Sequence, residues 1–225
     1  MSEAELGVGD PARPGRHSQY GQDTFVGDVL FRGRKGVFVD VGARDGAINS
    51  NTMYLEALGW TGLAVEPHPD LFAILAKTRR CRCVNAAASN VEQEAVEFVK
   101  YLEQPFGNSG LLSTFPDRSR LAKVKHEIIK VPCAPLSKLL GDIRLVHYLD
   151  IDVEGHELEV LQGIDFDAVD FRVIGVECME ATPKMQTYDT FLAEVGFMPF
   201  LHLHSDRFYC KGWQPPSTVK LFKQP

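Results

Sequence analysis

The run Val37-Phe38-Val39-Asp40-Val41, followed by Gly42-Ala43-Arg44-Asp45-Gly46, decides how this chain is read. A short, continuous apolar run bounded by glycines suits a strand buried on both faces of a parallel sheet. Upstream, the spacing of Phe25, Val26, Val29 and Leu30 from Asp23 onward fits one helical face, ended by the Gly33 to Gly36 turn. Downstream the unit repeats as helix about 51–58, strand 62–66, helix about 70–78 and strand 82–86. After an interval come strand 145–151, helix 156–162, strand 172–177 and helix about 185–195. This alternation predicts an α/β fold with a doubly wound, mostly parallel sheet and helices on both faces. Phe197 to Leu203 and Arg207 to Trp213 read as a C-terminal antiparallel hairpin at the sheet edge.

The 225 residues are 44% hydrophobic and 24% charged, the composition of a globular chain served by one core. Residues 1–17 are rich in Gly and Pro and read as a flexible tail, with 18–225 as a single domain. Residues 102–125, with Pro105, Gly107, Asn108, Gly110 and Pro116, read as a long loop facing the substrate. Its Arg118, Arg120, Lys123 and Lys125 are expected to form a solvated face. Lys and Arg number 24 against 30 Asp and Glu, a formal charge of −6 without a basic block, so no nucleic-acid partner is expected. No apolar run reaches the ~18 residues of a membrane span, and the N-terminus is polar, so a cytoplasmic protein without a membrane partner is expected. Five cysteines without C-x-x-C spacing speak for reduced, packed thiols.

In an open parallel sheet, ligands bind beyond the carboxyl ends of the strands. Here those ends read Asp40 to Gly46, Glu66-Pro67, Asn85-Ala86-Ala87, Asp150 to Gly155, and Glu177. Gly42 and Gly46 allow a tight turn and a close backbone approach. A dinucleotide fingerprint would need bare backbone where Arg44 and Ala47 stand, which demotes NAD to the alternative cofactor. S-adenosylmethionine carries no phosphate; it needs a glycine turn for its amino-acid part and a carboxylate for its ribose hydroxyls, and Glu66 suits the second role. Equally, Glu66 could serve as an acid at a helix N-terminus.

Taken together, these motifs resemble the FkbM-like methyltransferases, S-adenosylmethionine-dependent enzymes of the class I Rossmann-like fold. The likeness runs from Ser18-Gln19-Tyr20-Gly21-Gln22-Asp23 through Phe38 to Gly46, Ser50-Asn51-Thr52 and Gly59 to Pro67. It continues through Val84-Asn85-Ala86-Ala87, Asp150 to Glu157 and Val173 to Glu177. The resemblance implies methyl transfer to a hydroxyl of a sugar, polyketide or related small molecule. It also places the cofactor among Gln19, Tyr20, Asp40, Gly42, Ala43, Asp45, Gly46, Ser50, Asn51, Glu66, Pro67, Ala86, Ala87 and Asp150. One position departs from the pattern: the family usually reads Lys-Ile-Asp-Val-Glu-Gly, and Asp150 stands where lysine is usual.

Methyl transfer needs alignment and either a general base or a metal. His156, opening a helix, is a candidate base, with Asp152 and Glu154 as further catalytic candidates. Asp152 and Glu177 end neighbouring strands and are candidate ligands for Mg²⁺, which would acidify the hydroxyl. Alternatively, Glu154 and Glu177 bond to backbone amides at helix starts. An NAD-dependent oxidoreductase and a catalytically inactive cofactor-binding accessory protein are the other readings.

Overall fold

Each of the apolar runs above becomes a strand of one twisted sheet. The computed structural model describes residues 17–103, 108–115, 118–178, 183–212 and 215–216. The expected tail lies outside the described residues except for His17, whose backbone N–H donates to Asp23 Oδ2 at 2.8 Å. The parallel strands are β1 (Val37–Val41), β2 (Thr61–Val65), β3 (Arg82–Val84), β8 (Leu145–Ile151) and β9 (Asp170–Glu177). The hairpin of β10 (Met198–Leu203) and β11 (Asp206–Cys210) completes the order β10-β11-β9-β8-β1-β2-β3, with β11 antiparallel to both neighbours. This is the doubly wound sheet with a closing hairpin that the alternation predicts.

Period-two alternation divides the core between the two faces. Val39, Val41, Leu149, Ile151, Ile174 and Val176 pack on one side against α5 (Glu157–Gln162) and α6 (Pro183–Glu194). Phe38, Tyr148, Val173 and Phe208 pack on the other. There they meet Phe25 and Val26 of α1 (Gln22–Thr24) and its π-helical continuation Phe25–Leu30. Leu55 of α2 (Met53–Ala57) joins the same cluster. Asp40 and Asp150 are register partners on β1 and β8, so both carboxylates lie on the α1 side.

Two expectations need correction. The strand expected over 82–86 is two strands: Asn85 and Ala86 turn the chain out of the main sheet into β4 (Ala87–Ser89). From there β5 (Gln93–Tyr101), β6 (Gly110–Leu111) and β7 (His126–Pro135) build a second sheet in the order β4-β7-β5-β6. The supposed long loop is therefore framed by two long strands, and Arg118–Lys123 within it is a 3₁₀ turn. The second sheet has its own apolar cluster of Ala87, Phe98, Leu111, Val131 and Cys133, and it stands beside the carboxyl ends of the main strands. It returns to the main sheet through α4 (Leu136–Leu140), while α3 (Pro69–Thr78) links β2 to β3. The described cysteines are free, with Cys133 and Cys178 buried and the others half-buried. Among the described residues no helix is long and apolar enough to cross a membrane.

Candidate active site

A cavity of about 600 Å³ opens at the carboxyl ends of the parallel strands. All of the residues expected to hold the cofactor line it except Asp45 and Gly46. Asp45 instead closes its own turn, accepting the N–H groups of Ala47 and Ile48 at 2.9 Å each. Gly46 is required by packing: at φ 79°, an added Cβ would lie 2.6 Å from Leu75 and 2.7 Å from Arg79. Gly42 is a glycine for a reason the sequence did not show. An added Cβ there would lie 1.8 Å from the carbonyl oxygen of Asp152, because the chain leaving β8 crosses against the β1 turn.

Glu66 sits at the end of β2 with its carboxylate fixed by two backbone donors, Arg44 N–H at 2.8 Å and His68 N–H at 2.7 Å. Both readings of this residue are thus partly visible, since His68 caps α3 and the carboxylate also faces the cavity. An ionised carboxylate has about four acceptor positions, so two remain for a ligand. Burial pushes its pKa up to about 7, against the pull of the two amides. Beside it, Asn85 Nδ2 donates to the carbonyls of Glu66 at 2.7 Å and Pro67 at 3.1 Å, tying the ends of β2 and β3.

Asp150 is buried, with Tyr148 Oη donating at 2.6 Å and Asn51 Nδ2 at 3.0 and 3.2 Å. Burial, then the neighbouring Asp40 and Asp206, hold its pKa well above the usual range. The carboxyl that stands in place of the expected lysine is thus held by two neutral donors, Tyr148 and Asn51, while burial favours its protonated form. Ser50 steadies the turn leading into α2, accepting from the Thr52 and Met53 N–H groups at 3.3 and 3.1 Å.

At the opposite wall, Tyr20 stacks on His204 with ring centroids 4.2 Å apart, and Gln19 Nε2 donates to Tyr20 Oη at 2.9 Å. Gln22 Nε2 donates to Asp206 Oδ2, so the segment before α1 is fastened to the hairpin turn. Gln22, Ser205 and Asp206 all line the cavity and were missed, because contacts across 184 residues leave no local signal. Phe98 and Asn108 to Leu111 of the second sheet were also missed as individual lining residues. Among the described residues, three of the five non-glycine residues with positive φ, Arg44, Asn49 and Glu154, line this cavity, the clustering of backbone strain expected at a functional site.

His156 lines the cavity, but both ring nitrogens are engaged: Thr114 Oγ1 lies 2.9 Å from Nδ1 and Ser89 Oγ 2.9 Å from Nε2. Burial lowers its pKa despite Glu159 and Glu157 nearby. Its ring bridges β4 and the chain after β8 through these two hydroxyls. Asp152, Glu154 and Glu177 share the cavity wall. Burial and then Glu177 push the Asp152 pKa well up, while Glu177 is raised by burial and hydrogen-bonds to Asp152. Among the described residues no three His, Cys, Asp or Glu side chains gather as metal ligands, and Glu177 stands in hydrogen-bond contact with Asp152.

The raised carboxylates carry a stability signature. Burial pushes the Glu66 and Asp206 carboxyls up to about 7 in the folded chain, well above their ordinary 4.5 and 3.8. Between those limits the native state binds more protons than the unfolded chain, so their contribution is full at low pH and lost as pH rises through about 7. His68, His147 and His156, with lowered pKa values, act in the opposite sense, but below 6.5. The thermal midpoint of the ligand-free protein is therefore expected to fall between pH 6.5 and 8, and Glu66→Gln to flatten that fall. A midpoint that rises over this interval would contradict the assignment.

Residues 40–199 match the family model described as the Methyltransferase FkbM domain. The chain belongs to the FkbM methyltransferase family. It is 28% identical over 158 residues to Methyltransferase 1 of Beauveria bassiana (strain ARSEF 2860), covering 61% of this chain and 62% of that protein. This FkbM family member thus spans about three fifths of the length of that relative. Among solved structures it is similar to a Pyrococcus horikoshii protein named as an RNA methyltransferase, with a TM-score of 0.47 and 11% identity. That likeness covers 93% of this chain and 96% of the other. A precorrin-6y C5,15-methyltransferase of Geobacter metallireducens GS-15 gives 0.46 and 12%, over 92% and 96% of the two chains.

Proposed function

We propose that this protein transfers the methyl group of S-adenosylmethionine to a hydroxyl oxygen of a small molecule, of the sugar or polyketide kind. The observation that carries this reading is Glu66: a buried carboxylate, aligned by two backbone amides, facing a cavity whose floor is the Gly42–Ala43 turn. Glu66 is the acceptor for the ribose hydroxyls, and Ala86 and Ala87 give a small-residue wall beside it. When bound, the cofactor supplies an electrophilic methyl on a sulfonium. The chain itself aligns the acceptor and removes its proton, and Asp152 is assigned as the base, with Glu177 as its hydrogen-bonded partner. Seven carboxylates and one arginine line the cavity among the described residues, so acceptors without negative charge fit it best.

Calorimetric titration with S-adenosylmethionine, with NAD in parallel, tests the reading. Micromolar binding of the first alone is expected, weakened in Glu66→Ala by the ~1–3 kcal/mol of a lost charged hydrogen-bond acceptor. Label from the donor methyl should then appear as an ether on neutral or amine-bearing hydroxyl compounds. Binding of NAD in its place, or methylation of nitrogen or carbon alone, would overturn the proposal.

A further inference from the structure

The far ends of the strands, away from the methyl-donor cavity, carry a feature that the proposed reaction does not use. A second, more open cavity of about 440 Å³ lies where β1, β2, β3 and β8 begin, lined by Val37, Thr61, Arg82, Ile143, Arg144 and Leu145. Both arginines are tied to one turn, the one that leads from α4 into β8. Arg82 Nη2 donates to the carbonyls of Leu139 at 2.6 Å and Leu140 at 2.9 Å, and an added Cβ at Gly141 would lie 3.8 and 4.0 Å from its two Nη atoms. Arg144 Nη1 donates to the carbonyls of Gly141 and, at 3.1 Å, of Ile143. Capping of the helix end thus accounts for one nitrogen of each guanidinium. Among the described residues, Nε and Nη1 of Arg82 and Nε and Nη2 of Arg144 are left without a protein acceptor. Nor does either arginine meet a carboxylate there: the neighbouring ion pairs join Arg172 to Asp170 and Arg80 to Glu56. Asp142, in the same turn, is exposed and stands outside the cavity lining.

Two like charges gathered on one turn repel, and their carbonyl anchors remove much of the freedom that would let them part. A carboxylate ligand would answer one of these charges. A phosphate monoester, at about −1.5 to −2 near pH 7, answers both and offers three acceptor oxygens to two guanidiniums. We infer that this cavity is an anion site for a phosphate monoester, bound by the free N–H groups of Arg82 and Arg144, with carbon of the ligand over Val37, Ile143 and Leu145. Leu145 is apolar yet exposed at the cavity, as a surface covered by such a ligand would be. The chain carries −6 overall and carboxylates crowd the methyl-donor cavity, so a phosphate is repelled there and drawn here. The same two arginines would hold a soluble phosphate ester or a lipid phosphate.

Inorganic phosphate is the first probe, titrated calorimetrically at low ionic strength into the whole protein, with and without saturating S-adenosylmethionine. One equivalent is expected to bind, with a dissociation constant of about 1 mM or below. Arg82→Gln and Arg144→Gln should each weaken it about tenfold, the low end for a charge-assisted hydrogen bond, and the double variant should abolish it. S-adenosylmethionine affinity should stay within about twofold of wild type in all three, as for a distant, independent site. Arg82→Lys and Arg144→Lys keep the charge without the planar fork and should fall between wild type and the glutamine variants. They carry the test if thermal midpoints show that glutamine at either position unfolds the α4 turn. Glycerol 3-phosphate, and phosphatidylcholine vesicles containing phosphatidic acid, then separate the two sources: tighter binding of the first marks a soluble ester, recruitment to the second a lipid headgroup. Phosphate that binds the double variant as well as wild type, that is displaced by S-adenosylmethionine, or that leaves wild type unoccupied at about 10 mM would overturn the inference.

Discussion

Arg79→Met is expected to cost about 3–5 kcal/mol of stability, the range for removing one partner of a buried ion pair. The guanidinium is fully buried at the end of α3 and supports the whole β1 turn. Its Nε donates to Glu56 Oε2 at 2.8 Å, Nη2 to Thr52 Oγ1 at 3.0 Å, and Nη1 to the Gly46 carbonyl at 3.3 Å and Ser50 Oγ at 3.4 Å. Asp40 Oδ2 lies 3.8 Å away and accepts from Thr52 Oγ1. Burial alone would raise Glu56, yet the hydrogen bonds from Arg79 and Arg80 hold it below the usual range. Without Arg79, Asp40 loses its cationic neighbour and Glu56 keeps only the exposed Arg80, whose Nε lies 3.3 Å away. For a chain of this length, ~3–5 kcal/mol corresponds to a drop of about 6–20 °C in thermal midpoint. Arg79→Lys should rescue little, because an ammonium cannot present a planar fork to four acceptors. Adding Glu56→Gln to Arg79→Met should recover part of the loss, since the stranded charge is then gone. A single variant within 1 kcal/mol of wild type, by denaturant unfolding, would contradict this account of the turn.

Arg79 also shows where sequence reading stopped. The main sheet was legible because each strand is a short apolar run between turn residues, and β8 falls on the expected 145–151 without displacement. The rim was legible too, since carboxylates at the ends of β1, β2, β8 and β9 follow directly from topology. Side-chain partners were not. Arg79 is one basic residue before another at a helix end, and only the fold brings Glu56, 23 residues earlier, into its reach. The second sheet was missed although Val96, Phe98, Val99 and Tyr101 are β-branched and aromatic residues favoured in strands, because Pro and Gly in the following segment drew the reading toward a loop. The partners of His156 were hidden for a related reason: Thr114 and Ser89 reach it from elements that sequence distance kept apart.

The second large effect concerns turnover. Asp152→Asn is expected to lower kcat by about 10²- to 10⁴-fold, the range for losing a general base, while S-adenosylmethionine affinity changes by no more than about threefold. The main chain here is fixed from two sides: Asp152 N–H donates to the Val41 carbonyl at 3.0 Å, and the Asp152 carbonyl packs against Gly42. Asparagine keeps that path and the side-chain volume, so the change is confined to the proton. Because burial and then Glu177 raise the Asp152 pKa, a carboxylate here becomes an effective acceptor of a hydroxyl proton only as pH rises, and the wild-type rate should climb through its titration. Glu177→Gln removes the like charge beside the base and leaves the Asp152 carboxyl itself in place with an amide as its hydrogen-bonding neighbour. It should leave most of kcat and move the rising limb to lower pH, a shift that a purely structural role for Glu177 would not produce. Retention of more than a tenth of kcat in Asp152→Asn, with the donor still bound, would place the base elsewhere on the cavity wall.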